Sequence, residues 1–367
     1  MDKKFTTHRQ QGFVSIITVS IIMIIATLVV IGFSQLMQRE QRQSLDRQLN
    51  SQALYAAETG VNDLYDRLQK GELTEEEKLD DCSVVDWPNG GIVNPGSSNQ
   101  AAYTCVLYDQ TPPYVEFNNG SVTTQQSRIF PVQPKASGNN TNPQVRSLKF
   151  LWSGAAGNTD LTLPSTTTCS ALVLPENAAS LGVPILRVDI IKVPTIGVVS
   201  LNALTETDTS TLFLYPKTGC GSNSSSYADH ASTEDKGKMI EVRCQNLGYA
   251  CEYEINSMNV TNGGSDRYFV RIKSIYNDAD VRVEGQSTGG GAGGVMEFVG
   301  AQVSADVTGK SNDVLRRIKV QIGNPNYPIP EFVVQGLGGI CKGIEISPSN
   351  DPLPAPQATA AINSLCQ

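Results

Sequence analysis

The chain has 367 residues and a formal net charge of −8, yet its first twelve residues are basic, with Lys3, Lys4 and Arg9 against Asp2. The remainder is therefore more acidic than the whole, and an acidic body argues against nucleic acid as the main partner. The length allows one large or two ordinary domains beyond an N-terminal helix.

All eight cysteines lie beyond residue 80. An even number confined to one part of the chain predicts disulfides formed in an oxidising compartment, and no pair has the CxxC spacing typical of zinc sites. The disulfide candidates are Cys82, Cys105, Cys169, Cys220, Cys244, Cys251, Cys341 and Cys366. Sequence leaves the connectivity open, and proximity alone suggests the pairs Cys82–Cys105, Cys244–Cys251 and Cys341–Cys366.

Residues 1–12 form a polar, basic leader, and residues 13–38 contain no charged residue and no proline. A bilayer core is spanned by about 20 apolar residues, so this run predicts a transmembrane helix. A strand there would leave its backbone groups unpaired in lipid. The basic leader and acidic body place the N-terminus in the cytoplasm. A signal peptide is the alternative, but its apolar region is usually shorter, and Gly32-Phe33-Ser34 matches a cleavage site poorly.

Residues 39–71 continue the helix as an amphipathic half, because no helix breaker follows Gln38. Apolar residues recur every three or four positions and predict one buried stripe. The stripe consists of Leu45, Leu49, Ala53, Ala57, Val61, Leu64 and Leu68. Gly71 is suited to cap the C-terminus, which gives one continuous helix from Phe13 to Lys70, roughly 85 Å long.

Two motifs, one at the start of this helix and one within it, resemble those of type IV prepilins. Arg9-Gln10-Gln11-Gly12-Phe13 before an apolar helix is similar to the prepilin cleavage site, and Ala56-Ala57-Glu58-Thr59-Gly60 resembles the motif of PilX-like minor pilins. The resemblance covers about the first 70 residues. It implies that prepilin peptidase cuts after Gly12 and that the new terminal residue, Phe13, is N-methylated. Glu58 is either an assembly contact or a solvated charge.

Ile17 departs from that pattern, because most pilins carry glutamate at the fifth mature position. In the family this carboxylate is thought to be neutralised by the terminal amine of a neighbouring subunit. Its absence resembles the K-type minor pseudopilin of secretion systems, a tip subunit. The resemblance therefore implies a position at or near a pilus tip.

The rest of the chain predicts a mainly antiparallel β-rich body with long loops, so the fold class is α+β. Residues 72–145 are expected to form a loop-rich linker or subdomain, residues 146–335 the β-rich extracytoplasmic domain, and residues 336–367 a proline-rich tail. Asn277-Asp278 and Gly309 to Asp313 are expected to be hairpin turns.

Few residues suit catalysis or metal binding. His230, beside Asp229, has no serine in a nucleophile-elbow setting and is expected to be an exposed loop histidine, so enzyme function is not expected. Asp278 and Asp280 are weak candidates for calcium ligands. The alternative is that these residues only form a turn. No cofactor is expected. A basic spot on a predicted strand, formed by Arg316, Arg317 and Lys319, is expected to be solvated.

The resemblance to prepilins, taken with these features, implies a minor pilin of a type IV pilus that acts in pilus assembly, surface adhesion or twitching motility. Its expected partners are prepilin peptidase, other pilins through the N-terminal helix, the cytoplasmic membrane before assembly, and a surface or host-cell ligand. The expected location is the cytoplasmic membrane, crossed once, and then the pilus at the cell surface. The alternatives are a type II secretion minor pseudopilin and a single-pass membrane-anchored β-rich adhesin.

Overall fold

The computed structural model describes residues 11–73, 78–80, 82, 101–136, 143–157, 183–194, 209–218, 221–230, 238–245, 248–258, 266–288 and 294–324. The leader before residue 11, the C-terminal tail, and Cys169, Cys220, Cys341 and Cys366 lie outside them. The predicted pair Cys341–Cys366 therefore also lies outside the described residues.

One long helix, α1 (Gln11–Lys70), precedes a body of strands. Its continuity confirms the predicted junction of an apolar and an amphipathic half. Gly71 ends it with a positive φ of 68°, while the Gly71 amide donates to Leu68 O and the Glu72 amide donates to Arg67 O. These two bonds form a Schellman cap, which satisfies carbonyl groups that the helix end would leave unpaired.

The strands alternate with turns along the described chain. In chain order they are β1 (Lys78–Leu79), β2 (Ala101–Asp109), β3 (Tyr114–Val122), β4 (Arg128–Val132), β5 (Val145–Gly154), β6 (Ile185–Pro194), β7 (Thr209–Thr218), β8 (Ser224–Ser226), β9 (Lys238–Cys244), β10 (Cys251–Asn256), β11 (Asp266–Ile275), β12 (Ala279–Ser287), β13 (Gln302–Ser311) and β14 (Val314–Gly323). The described pairs are antiparallel except β8 with β10 and β7 with β9, which confirms an α+β fold dominated by antiparallel sheet.

The described strands form three sheets. Sheet I has the order β1-β2-β13-β14, sheet II the order β3-β12-β5-β10-β8, and sheet III the order β4-β11-β6-β7-β9. Sheets II and III form a sandwich, because their inward residues belong to one buried cluster that includes Phe150, Trp152, Val188 and Ile190. Alternation along each strand places every second side chain in this core.

The sandwich is inserted into the chain between two strands of sheet I. Strands β3 to β12 follow β2 and precede β13, which pairs with β2. The side chain of Gln302, at the start of β13, accepts a bond from the Glu116 amide at 2.8 Å and donates to Glu116 O at 3.0 Å. This amide pair connects sheet I with β3 of the sandwich.

Two disulfides are present in the described residues, and both match pairs suggested by proximity. Cys82–Cys105 closes a separation of 23 residues and ties the chain beyond β1 to β2. Cys244–Cys251 joins the end of β9 in sheet III to the start of β10 in sheet II. The second bond therefore links the two layers of the sandwich.

One expected turn needs correction. The prediction of a hairpin at Asn277-Asp278 is wrong, because β11 belongs to sheet III and β12 to sheet II, so the turn crosses between the layers. Residues 72–145, expected to be rich in loops, supply strands to all three sheets. Strand β4, which was not predicted, contains Pro131 and lies at the edge of sheet III, where a missing amide donor is tolerated. The hairpin of β13 and β14 is confirmed and turns at Asn312-Asp313.

Candidate functional site on the N-terminal helix

The second half of α1 packs on one face of sheet I. The helix supplies buried Ala57, Leu64 and Leu68, and the sheet supplies residues such as Val303 and Val307 to the same apolar cluster. This confirms most of the predicted stripe. Leu45 is the exception, with 48% exposure, so burial of the helix begins at Leu49. We call residues 49–68 of α1 and the sheet I face that they cover the helix–sheet interface.

The small residues of the Ala56 to Gly60 motif let the helix approach sheet I closely. Ala56, Ala57 and Gly60 are buried, and a Cβ added to Gly60 would lie 2.7 Å from Val307 Cγ1. From the sheet side, a Cβ on Gly309 would lie 2.0 Å from Ala53 O and 2.5 Å from the Ala57 amide nitrogen. The motif therefore has a packing role, because larger residues at Gly60 or Gly309 would collide with the opposite element.

Polar contacts fix the register of the helix on the sheet. Ser311 Oγ donates to Gln52 Oε1 at 2.9 Å, and Tyr103 Oη donates to Asp63 Oδ2 at 2.9 Å. Asp63 also faces Arg67 Nε at 3.4 Å. Because these contacts lie at separate points along the interface, they oppose sliding of α1 along β13 and β2.

The first half of α1 projects away from the described body. Residues 15–48 are exposed throughout, a length of roughly 50 Å at the rise of an α-helix. This helix is long and apolar enough to cross a membrane. Some signal sequences and some core helices of soluble proteins have the same length and composition. Gly12 and Phe13 lie within α1, and Ile17 is 43% exposed. The exposed apolar half is a candidate membrane anchor.

Glu58 lies in the buried part of α1 but points away from sheet I. Its side chain is exposed, whereas its neighbour Ala57 is fully buried in the helix–sheet interface. The carboxylate is therefore available to solvent or to another molecule, and both interpretations of Glu58 as a contact or a solvated charge stay open.

The two carboxylates of the weak calcium candidate accept hydrogen bonds from backbone amides. Asp280 is buried, and its two carboxylate oxygens accept bonds from the amides of Gly120 at 2.5 Å and Gly157 at 2.8 Å. Asp278 accepts a bond from the Thr124 amide at 3.2 Å. Among the described residues, no group of three or more His, Cys, Asp and Glu side chains is arranged to hold a metal ion. Asp280 organises the turns around it.

His230 is buried, so the expectation of an exposed loop histidine is wrong. It ends a short 3-10 helix (Tyr227–His230) and is 5% exposed. Its Nε2 lies 2.5 Å from Ser225 Oγ, and its carbonyl oxygen accepts a bond from Ser210 Oγ at 3.0 Å. The carboxylate of Asp229 accepts a hydrogen bond from the Ser226 amide. These contacts connect β8 of sheet II to β7 of sheet III.

The predicted basic spot lies on the edge strand β14. Arg316, Arg317 and Lys319 are exposed, as expected, and Arg317 forms a bidentate ion pair with Asp306 at 2.5 and 2.6 Å. An exposed pair of this kind contributes little to stability. Charged side chains on an edge strand also discourage unwanted pairing with another strand.

Sequence reasoning missed a charged and aromatic cluster where β3 and β12 meet. Arg282 donates two bonds to Glu116 Oε1, at 3.0 and 2.7 Å, and its guanidinium lies 4.2 Å from the ring centre of Tyr114. Tyr249 Oη donates to the same carboxylate oxygen at 3.0 Å. Burial opposes the charge of Glu116, but the bonds from Arg282 and Tyr249 outweigh it and lower the pKa of this carboxyl. Burial and the adjacent carboxylate raise the pKa of Tyr249.

Comparison with protein-family models, curated proteins and solved structures finds no match to this chain.

Proposed function

We propose that the chain is a non-catalytic minor subunit of a type IV filament, held in the cytoplasmic membrane by α1 before it enters a fibre. The observation that carries the proposal is the division of α1 into an exposed apolar half and a half packed on sheet I. The resemblance of the Gly12-Phe13 site to prepilin cleavage sites supports the same assignment.

The exposed half of α1 needs an apolar environment. Large side chains such as Ile22, Met23 and Phe33 are each more than 60% exposed, and burying apolar surface is favourable by roughly 25 cal/mol per Å². Lipid can supply that environment first. A bundle of similar helices can then replace the lipid without exposing the span to water.

The packed half of α1 would couple the anchor to the body. Backbone contact at Gly309 and the polar contacts of Gln52 and Asp63 hold the helix on sheet I. A subunit drawn from the membrane by its helix would therefore carry the sandwich with it. The position at a filament tip rests on Ile17 alone and would be refuted by labelled copies spread evenly along fibres.

Two other functions are alternatives to a pilus subunit. A type II secretion pseudopilin would share the same helix, and a secretion assay distinguishes it from a pilus subunit. A membrane-anchored adhesin is favoured by the inserted sandwich, which is larger than the helix and sheet I need for mutual packing. That adhesin would keep its leader uncut.

The N-terminal mass of the protein from cells with their own export machinery tests the proposal. We expect a mature chain that begins at N-methylated Phe13. Gly12→Val should block cleavage, whereas Gly32→Val, at a helix position where an added Cβ meets no neighbour within 4 Å, should be cleaved normally. An intact Met1 terminus in the wild type, or a cut beyond residue 38, would refute the filament assignment.

A further inference from the structure

The outer face of sheet III carries a buried carboxylate held by two arginines. Asp189 is 1% exposed. Its Oδ1 accepts bonds from Arg187 Nε at 3.1 Å and Thr211 Oγ1 at 2.7 Å, and its Oδ2 accepts one from Arg271 Nε at 2.7 Å. The terminal nitrogen Nη2 of Arg271 also lies 2.7 Å from Oδ2. We call these four residues the Asp189 cluster.

Strand register places the Asp189 cluster away from the sandwich core. Val188 and Ile190, which flank Asp189, are buried in the core between sheets II and III. Alternation along β6 therefore turns Arg187 and Asp189 outward. Asp189 is directly opposite Arg271 on β11 and Thr211 on β7.

The next row across the same face adds a cation and an aromatic ring. Arg187 is opposite Lys273 on β11 and Phe213 on β7. Its guanidinium carbon lies 5.8 Å from the ring centre of Phe213. Lys273 and Phe213 are both half-buried, so part of each side chain remains at the surface. Phe213 therefore offers an apolar ring beside the guanidinium of Arg187.

The face has more positive charge than Asp189 requires. Arg187 and Arg271 both bond to Asp189, and Lys273 lies one row away on the same face, although the whole chain has a formal net charge of −8. The side chains of Arg187 and Arg271 stay 35% and 25% exposed. Because Asp189 fixes both Nε groups, the guanidiniums are ordered before any ligand arrives, which lowers the entropy cost of binding.

We propose that the Asp189 cluster, together with Lys273 and Phe213, binds a polysaccharide of uronic acids. Guanidinium groups match the geometry of a carboxylate, and an aromatic ring offers an apolar surface to a sugar. Duplex DNA carries one negative charge per about 1.7 Å of its axis, so it would need a long basic stripe, and the acidic remainder of the chain would repel it more strongly than a polymer with one carboxylate per sugar. A glycan with one carboxylate per sugar fits the small cationic area better. This inference goes beyond the proposed filament function and does not depend on it.

Binding of polygalacturonate to the full chain, purified in detergent and immobilised, tests the proposal. Lys273→Glu should weaken binding about tenfold at physiological salt, because it removes an attraction and adds a repulsion near the bound carboxylate. Arg316→Glu makes the same charge change on β14 of sheet I and should leave binding unchanged. Thermal melting of both variants shows whether they keep the fold.

A competition experiment on the wild type gives a second result without any substitution. Free galacturonate should displace polygalacturonate, and galactose, which lacks the carboxylate, should not. Absence of saturable binding, equal losses in both variants, or displacement by galactose would overturn the proposal. Tighter binding of duplex DNA than of polygalacturonate would also overturn it, in favour of a general polyanion surface. Each of these failures leaves the N-terminal processing result unaffected.

Discussion

Gly309→Ala is expected to loosen α1 from sheet I without unfolding the sandwich. The added Cβ would lie 2.0 Å from Ala53 O and 2.5 Å from the Ala57 nitrogen, whereas ordinary contacts begin at 3.4 Å. Both atoms belong to the helix backbone, so no side-chain rotation can relieve the clash. The helix must move by more than 1 Å, which opens gaps in the apolar cluster around it.

Overpacking of a closely packed core costs about 1–3 kcal/mol, and a backbone clash belongs at the upper end of that range. A loss of about 3 kcal/mol would raise the population of the locally opened interface, and with it the rate of hydrogen exchange, roughly 100-fold. We expect this acceleration in hydrogen exchange of α1 amides between residues 52 and 68. Amides of β5 and β6, inside the sandwich, should exchange at the wild-type rate.

Two glycine variants calibrate this result. Gly323→Ala, at the end of β14 where a new Cβ meets no neighbour within 4 Å, should leave exchange unchanged. Gly60→Ala should have a smaller effect than Gly309→Ala, because its clash is with side chains and alanine gains about 1 kcal/mol of helix propensity. If Gly309→Ala exchanges like Gly323→Ala, the argument for close helix–sheet packing is wrong.

Three further predictions concern the sandwich and its junction with sheet I. The folded-state pKa of Glu116 is lowered, so its ion pair with Arg282 gives its full stability above the unfolded-state pKa of about 4.3. That contribution is lost as pH falls through the lower folded-state pKa. Glu116→Gln should flatten the acid unfolding curve in this range, and a curve parallel to that of the wild type would contradict the assignment. Replacing Cys244 and Cys251 together by alanine should lower the free energy of unfolding by about 2 kcal/mol, since the bond closes a short loop. A melting curve of the wild-type protein that does not change under reducing conditions would count against this. Gln302→Ala should cost about 1–3 kcal/mol through its unpaired backbone partners and increase exchange at the Glu116 amide; unchanged exchange would show that the junction does not rely on this side chain.

The sequence predicts those parts of the fold that depend on local periodicity. The stripe from Leu49 to Leu68 is buried because a helix brings every third or fourth residue to one face, and β6 alternates as Leu186, Val188 and Ile190 indicate. Sheet membership does not follow from such patterns. The short turn between β11 and β12 has hairpin composition, yet Tyr276 takes a positive φ of 81° and the chain passes to the other sheet.

The candidate sites show the same limit. The Ala56 to Gly60 motif can be read from sequence, but its partner Gly309 lies some 250 residues later in the chain and has no local signal. Likewise, Arg187 and Asp189 look like solvated residues of a half-buried strand. Asp189 can be buried because Arg271, from a different strand, pairs with its carboxylate. The pairing of two distant strands cannot be deduced from the sequence of either strand alone.

The topology separates the elements that hold α1 from the strands that carry the outer face of sheet III. Helix α1, β1 and β2 come before the sandwich and β13 and β14 after it, so sheet I is built from both sides of one insertion. Strand β13 lies between β2 and β14, and it also contacts the helix at Gly309. A pull on α1 therefore acts first on a central strand that antiparallel bonds hold on both sides. The outer face of sheet III lies outside this path, since its strands all belong to the insertion. Substitutions in the Asp189 cluster should thus change ligand binding without changing how α1 is held.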